Sequence, residues 1–195
     1  MKIICLAVVA FICIPLWLMA QETPAGLKVN ATAPGFSARN QYGNIISLGD
    51  ELKKGPVVLV FYRGQWCPHC NKHLKLLEDS LSFITAKGAT VIAVTPEQPE
   101  NISKTIDKTK ASYSILADDS LKIMKSYGVA FAVDEKTIEK YKQYGIDFAN
   151  ANGNNGANLP VPALYIIDKN GKITYRYFNS NYTKRSSIAE VLAQL

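Results

Sequence analysis

Two residues separate Cys67 from Cys70, and the pair stands where one kind of patterning gives way to another. Upstream, Val57, Val58, Leu59, Val60, Phe61 and Tyr62 form an unbroken apolar run rich in β-branched side chains, the pattern of a strand buried on both faces. Downstream of Pro68, Leu74, Leu77, Leu81 and Ile84 recur at spacings of three and four until Gly88, which predicts a helix with one apolar face. A strand buried on both faces needs helices on both, so this junction confines the chain to a layered α/β domain. It also places Cys67 at a helix N-terminus. There the unpaired backbone N–H groups and the positive end of the helix dipole favour a thiolate, and His69, when protonated, would add to that. The sequence therefore predicts a depressed pKa for Cys67, with Cys70 one turn on as the more buried and less acidic partner. Such a pair can exchange with a disulfide, or close one after Cys67 is oxidised.

The remaining pattern fits the same architecture. Residues 90–94 repeat the buried-strand type, and residues 163–167, the turn Asp168, Lys169, Asn170, Gly171 and residues 172–178 read as strand, turn and strand. Helical stretches are expected from Ser120 to Tyr127 and, capped by Asp134, through Ile138, Tyr141 and Tyr144 to Gly145. The Asn- and Gly-rich stretch 150–158 reads as a loop running into Leu159, Pro160, Val161 and Pro162. Near the start, residues 33–36 and 44–48 suggest an N-terminal β-hairpin turning at 41–44.

Lys2 followed by an apolar run from Ile3 to Met19, with polar sequence resuming at Gln21, reads as a signal peptide over residues 1–20; an uncleaved anchor is the alternative. A single domain is expected over residues 21–195, exported to a periplasm or secreted. Cys5 and Cys13 leave with the leader, so Cys67 and Cys70 are the mature chain's cysteines. So close a pair removes little chain entropy as a staple and is better explained as a redox couple. The net charge of +6 arises from scattered Lys and Arg, without the aromatic-interleaved basic block of a nucleic-acid site. Zinc held by Cys67, Cys70 and either His69 or His73 would lack a fourth ligand, and His73 reads as an ordinary helix-surface residue. Copper(I) held by the dithiol and a histidine is a further alternative. Arg63, four residues before Cys67 at the strand end, is a candidate for holding a thiolate and orienting a peroxide oxygen. Trp66 reads as packing around the site.

The run from Phe61 to Cys70 (FYRGQWCPHC), the segment Leu159 to Ala163 with Ile167 to Gly171 after it, and the tail Tyr182, Thr183, Lys184, Arg185 resemble the peroxiredoxin-like branch of the alkyl hydroperoxide reductase and thiol-specific antioxidant family. The resemblance spans nearly all of residues 21–195. It implies a thioredoxin-like fold, with a central mixed sheet flanked by helices and an inserted helix and loop before a cis-proline at Pro162. It also implies a peroxidatic Cys67 resolved by Cys70, a hydroperoxide substrate, a thioredoxin-like electron donor, no cofactor, and a monomer or weak homodimer. Trp66, Pro68, His69, Val161 and Pro162 would then shape the substrate groove. The family pattern Pro-x-x-x-Thr/Ser-x-x-Cys is altered: Val60 stands for the proline and Gly64 for the hydroxyl residue, leaving Arg63 as the compensating donor. Direct exchange of Cys67 with protein disulfides is the competing reading.

Overall fold

The computed structural model describes residues 23–195, so the leader expected over residues 1–20 lies outside the described residues. In chain order the elements are β1 (Ser37–Arg39), β2 (Ile45–Ser47), α1 (Leu48–Lys54), β3 (Val57–Phe61), α2 (Pro68–Asp79), α3 (Leu81–Ala86), β4 (Thr90–Thr95), α4 (Pro99–Thr109), β5 (Ser114–Ala117), α5 (Lys122–Ser126), β6 (Ala130–Ala132), α6 (Glu135–Gln143), α7 (Phe148–Asn152), β7 (Asn158–Pro160), β8 (Ala163–Ile167), β9 (Ile173–Phe178) and α8 (Ile188–Ala193). The central sheet has the order β5-β4-β3-β8-β9. β3, β4 and β5 run parallel, whereas β8 is antiparallel to β3 and β9 to β8. This is the expected mixed sheet of a thioredoxin-like α/β fold.

Alternation along β3 assigns side chains to the two layers. Val58, Val60 and Tyr62 pack with Leu74, Leu77, Ile102 and Val191 on one face; Val57, Leu59 and Phe61 pack with Met124, Tyr127 and Tyr165 on the other. The register fixes the position of the site. Phe61 is opposite both Val94 and Ala163, so the end of β3, the end of β4 and the start of β8 converge on one edge of the fold. A third small cluster of Val133, Phe148 and Leu159 packs with Trp66 and Tyr141, binding the inserted helices to the residue that precedes Cys67.

Several expectations are corrected in detail. The N-terminal hairpin forms between β1 and β2, with its first strand displaced to Ser37–Arg39. The helix expected from Pro68 to Gly88 breaks at Ser80, whose φ of −108° and ψ of 6° leave the helical region before α3 restarts. The stretch 150–158 is structured by its asparagines: Asp147 caps α7, Asn152 donates to Gly156 and Asn158 carbonyls, and Asn155 donates to the Pro96 and Asp118 carbonyls. Side-chain amides here satisfy backbone groups that a ladder would otherwise pair.

Candidate active site

Beyond β3 the Tyr62 N–H still donates to the Val94 carbonyl, after which Gly64 turns the chain at φ +153°. Glycine is required there, because an added Cβ would lie 2.6 Å from Trp66 Nε1 and 2.7 Å from Glu97 Oε1. The hydroxyl residue of the family pattern is thus excluded by the neighbours Gly64 has acquired. Cys67 follows as the N-cap of α2, with Pro68 in the first turn and the Cys67 carbonyl accepting from the Cys70 and Asn71 N–H groups. Both cysteines are free and nearly equally buried, Cys67 at 2% and Cys70 at 1% exposure. Pro68 and His69 are exposed on the rim, and the His69 ring meets Tyr182 edge-on.

Two guanidinium groups approach the dithiol from different parts of the chain. Arg63 is buried, hydrogen-bonded to the Tyr141 hydroxyl, and covered by Tyr182 at 4.5 Å, Trp66 at 4.9 Å and Tyr141 at 5.4 Å from ring centroid to guanidinium carbon. Arg185, from the segment before α8, donates from Nη2 to Cys70 Sγ at 3.2 Å. Burial opposes ionisation of Cys70, yet a hydrogen bond from the Cys67 thiol and the charge of Arg185 draw it down to about 6. Cys67 moves upward, first because it donates to Cys70 and second through burial, with Arg63 only partly offsetting both. In this coupled pair burial opposes ionisation of both thiols, and the charge of Arg185 acts on Cys70 while that of Arg63 acts on Cys67. The direct cationic hydrogen bond lands on Cys70.

Two further ionisable side chains are held neutral nearby. Glu97, just past β4, is 1% exposed; its Oε2 accepts the Gln65 N–H at 2.9 Å and its Oε1 has no partner. Burial pushes this carboxyl up to about 8 against the Gln65 hydrogen bond, and the Cys70 charge adds to the rise. His73, expected on the helix surface, is 5% exposed and turned toward Ser186, and burial followed by the charge of Arg185 lowers it to about 4. Its placement follows from α2's period: one turn beyond Cys70 and beside Leu74, it shares their buried face.

Val161 and Pro162 line a cavity of about 500 Å³ together with Arg63, Phe131, Tyr141 and Leu159. Trp66, Pro68, His69 and the two cysteines are not on its wall, so of the predicted substrate-binding residues Val161 and Pro162 line this cavity, Pro68 and His69 lie on the rim, and Trp66 packs against Val133, Phe148 and Leu159. The cis-proline expectation is overturned: no peptide bond among the described residues is cis. The extended trans path lets the Val161 N–H reach the Val129 carbonyl at 2.8 Å while the Pro162 carbonyl accepts from Asn179. Among the described residues no three His, Cys, Asp or Glu side chains gather as metal ligands. Sequence reasoning gave Arg185, Tyr141 and Tyr182 no role at the site, although the tail 182–185 carried part of the family resemblance, and it left Glu97 unnamed although an acid directly after a buried strand that ends on the site was a local signal.

Comparison with known proteins agrees with this geometry. The sequence matches the AhpC/TSA family over residues 29–176. It is 28% identical over 162 residues to the chloroplastic peroxiredoxin Q of Oryza sativa subsp. japonica, covering 83% of this chain but 64% of the relative, so the chain spans just under two thirds of that protein. The fold is similar to that of peroxidoxin BcpB from Mycobacterium tuberculosis, with TM-score 0.67, 18% identity, and 86% and 96% of the two chains covered. It is also similar to the thioredoxin domain of a thiol-disulfide oxidoreductase from Bacteroides vulgatus, with TM-score 0.55, 20% identity, and 80% and 93% covered. With its dithiol where the ends of β3 and β4 and the start of β8 converge, and the match covering β3, β4, β5 and β8 and reaching into β9, the chain belongs to the AhpC/TSA family.

Proposed function

We propose that the protein is a thiol peroxidase of an exported compartment, working as a monomer or weak homodimer without a cofactor. The observation that carries this is the pair of free, buried cysteines one helical turn apart with two arginines converging on them. The Cys67 thiolate attacks the terminal oxygen of a hydroperoxide, the S–O bond forms as the O–O bond breaks, and the alkoxide or hydroxide that leaves takes up a proton from solvent. Cys67 becomes a sulfenic acid; Cys70 attacks its sulfur, the S–O bond breaks, water leaves, and a disulfide remains. Two electrons from a thioredoxin-like dithiol protein restore the reduced pair. Relatives named as peroxiredoxins support the reading.

A second reading, direct exchange with protein disulfides, is favoured by Gly64, which puts no side-chain hydroxyl at the family's peroxide-positioning place. Stopped-flow mixing of the reduced chain, begun at Gln21, with hydrogen peroxide separates the two. Trp66, then the sole tryptophan, adjoins Cys67 and reports its oxidation. A second-order change far faster than a free thiolate gives, abolished in Cys67→Ser, supports the peroxidase. A rate no better than free thiol leaves disulfide exchange as the function.

A further inference from the structure

We infer that the cavity beside the dithiol is a binding site for a small apolar monocarboxylate, with Arg63 taking the carboxylate and the wall around Phe131 and Val161 enclosing the apolar body. The inference goes beyond the redox reaction, because neither cysteine is on the cavity wall and binding there involves no electron transfer.

An unanswered charge specifies the head of the ligand. Arg63 is 4% exposed and is the cation among the residues lining the cavity. The ion pairs among the described residues join Lys53 to Asp50, Lys54 to Glu51, Lys75 to Asp79 and Lys142 to Glu139, and none reaches it. Its Nη2 donates to the neutral Tyr141 hydroxyl, while its buried Nε has no hydrogen-bond partner. Contact with the rings of Tyr182, Trp66 and Tyr141 offsets part of the charge but gives the Nε–H no acceptor. Nor does the dithiol supply one, since the guanidinium hydrogen-bonded to a sulfur is that of Arg185. The charge of Arg185 bears on Arg63 as well, and burial already opposes its ionisation, so an anion placed here relieves both. The carboxylate on the cavity wall, Asp134, is committed elsewhere: it caps α6 by accepting the Thr137 N–H at 2.9 Å. A guanidinium with a free Nε–H matches a carboxylate, whose two oxygens accept parallel N–H bonds.

The rest of the wall specifies the body. A volume of about 500 Å³ falls within the roughly 300–1,000 Å³ range of small-molecule sites. The inserted β6–β7 hairpin sets Phe131 opposite Leu159, and Val133, Pro160, Val161 and Pro162 continue the apolar lining. A polypeptide segment fits this wall poorly. Pro160 and Pro162 have no N–H, and the Val161 N–H is already given to the Val129 carbonyl, so these three residues offer an incoming strand no ladder donor. A phosphate monoester or dicarboxylate would bring a second negative charge, and the lining residues supply no second cation to meet it. An alcohol or other neutral ligand would leave Arg63 as it is. One carboxylate on an apolar body satisfies both halves of the cavity.

Calorimetric titration of the reduced protein with decanoate, decanol and acetate tests the assignment. Decanoate is expected to saturate at one per chain, about tenfold or more tighter than decanol, which has the same body without the charge. Acetate, which keeps the head and loses the body, is expected to bind about a hundredfold or more weaker than decanoate. Arg63→Gln should bring decanoate down to the level of decanol, and Arg63→Lys should restore part of the difference. Ala132→Trp, at an exposed wall residue outside the Arg63 cage, should weaken decanoate about tenfold or more by filling the apolar space. Decanoate that does not saturate, decanol or acetate that binds as tightly, or an affinity unmoved by Arg63→Gln or Ala132→Trp in a natively folded variant overturns the inference. The comparison of the three ligands needs no variant, so it decides the matter even where Arg63→Gln fails to fold. No oxidant enters the titration: a protein slow toward peroxide that binds decanoate in this way would lose the peroxidase reading and keep the site.

Discussion

Replacing Glu97 by glutamine removes an ionisable group from beneath the thiols while keeping an acceptor for the Gln65 N–H. Burial raises the folded-state carboxyl from its ordinary 4.5 to about 8. Between those values the unfolded chain is ionised and the folded chain is protonated, so the folded state holds the extra proton and stability falls as pH rises. The slope is roughly 1.4 kcal/mol per pH unit, and across the window from 4.5 to about 8 the loss amounts to at most about 5 kcal/mol. Above the folded-state value no further loss accrues. Wild type and Glu97→Gln share every other titrating group, including His73 and the thiols, so the difference between them isolates the carboxyl. The assay is urea unfolding of both reduced proteins in steps from about pH 5 to about pH 9, with m-values checked for constancy. Near pH 5 the two should differ little, and by pH 8 Glu97→Gln should be the more stable by several kcal/mol. Parallel stability curves would refute the reasoning: the carboxylate would then be ionised in the fold, held by Lys104 or Lys108, whose charges already pull it in that direction.

Gly64→Ser, which reinstates the family's hydroxyl, should lower stability by roughly 2–5 kcal/mol in urea unfolding, because the new Cβ meets both Trp66 and Glu97 at a φ that side chains avoid. A Gly64→Ser protein as stable as wild type would show that Trp66 and Glu97 yield freely. His73 has its folded-state value depressed from 6.5 to about 4, so below 6.5 the unfolded chain takes up a proton that the folded one refuses. Its contribution is complete above 6.5 and about 3 kcal/mol is lost as pH falls to about 4; His73→Leu should therefore lose less stability than wild type over that acid window in the same assay.

The parts of this fold legible in the sequence are those whose signal is local. β3, β4 and the β8–β9 hairpin announce themselves through continuous apolar runs and a four-residue turn, and α2 through its leucines and Pro68. α4 does not, because Asn101, Thr105 and Thr109 sit on its buried face and dilute the apolar period. The stretch 150–158 deceived for a related reason: asparagines that resemble loop composition act as hydrogen-bond donors across the chain, as Asn155 does to Pro96 and Asp118. At the site, Cys67, Cys70 and Arg63 could be named from spacing, since strand end and helix start place them. Arg185 could not, because it reaches Cys70 from 115 positions away through a segment with no regular structure. Nor could the guanidinium that contacts Cys70 be told in advance from the one enclosed by aromatic rings.

The segment 179–187 lies over α2: Tyr182 covers Arg63 and meets His69, Arg185 touches Cys70, and Ser186 is buried. Under the proposed peroxidase function this segment would act on access as a sieve. A peroxide group of two heavy atoms needs only the rotamer fluctuations of exposed side chains such as His69 and Tyr182, which occur in picoseconds to nanoseconds. A protein disulfide brings backbone with it and needs Arg185 and Ser186 displaced, a collective opening on slower timescales. Under that function oxidants would be sorted by cross-section before any chemistry begins, and a protein reductant would wait for a motion that a small oxidant never needs.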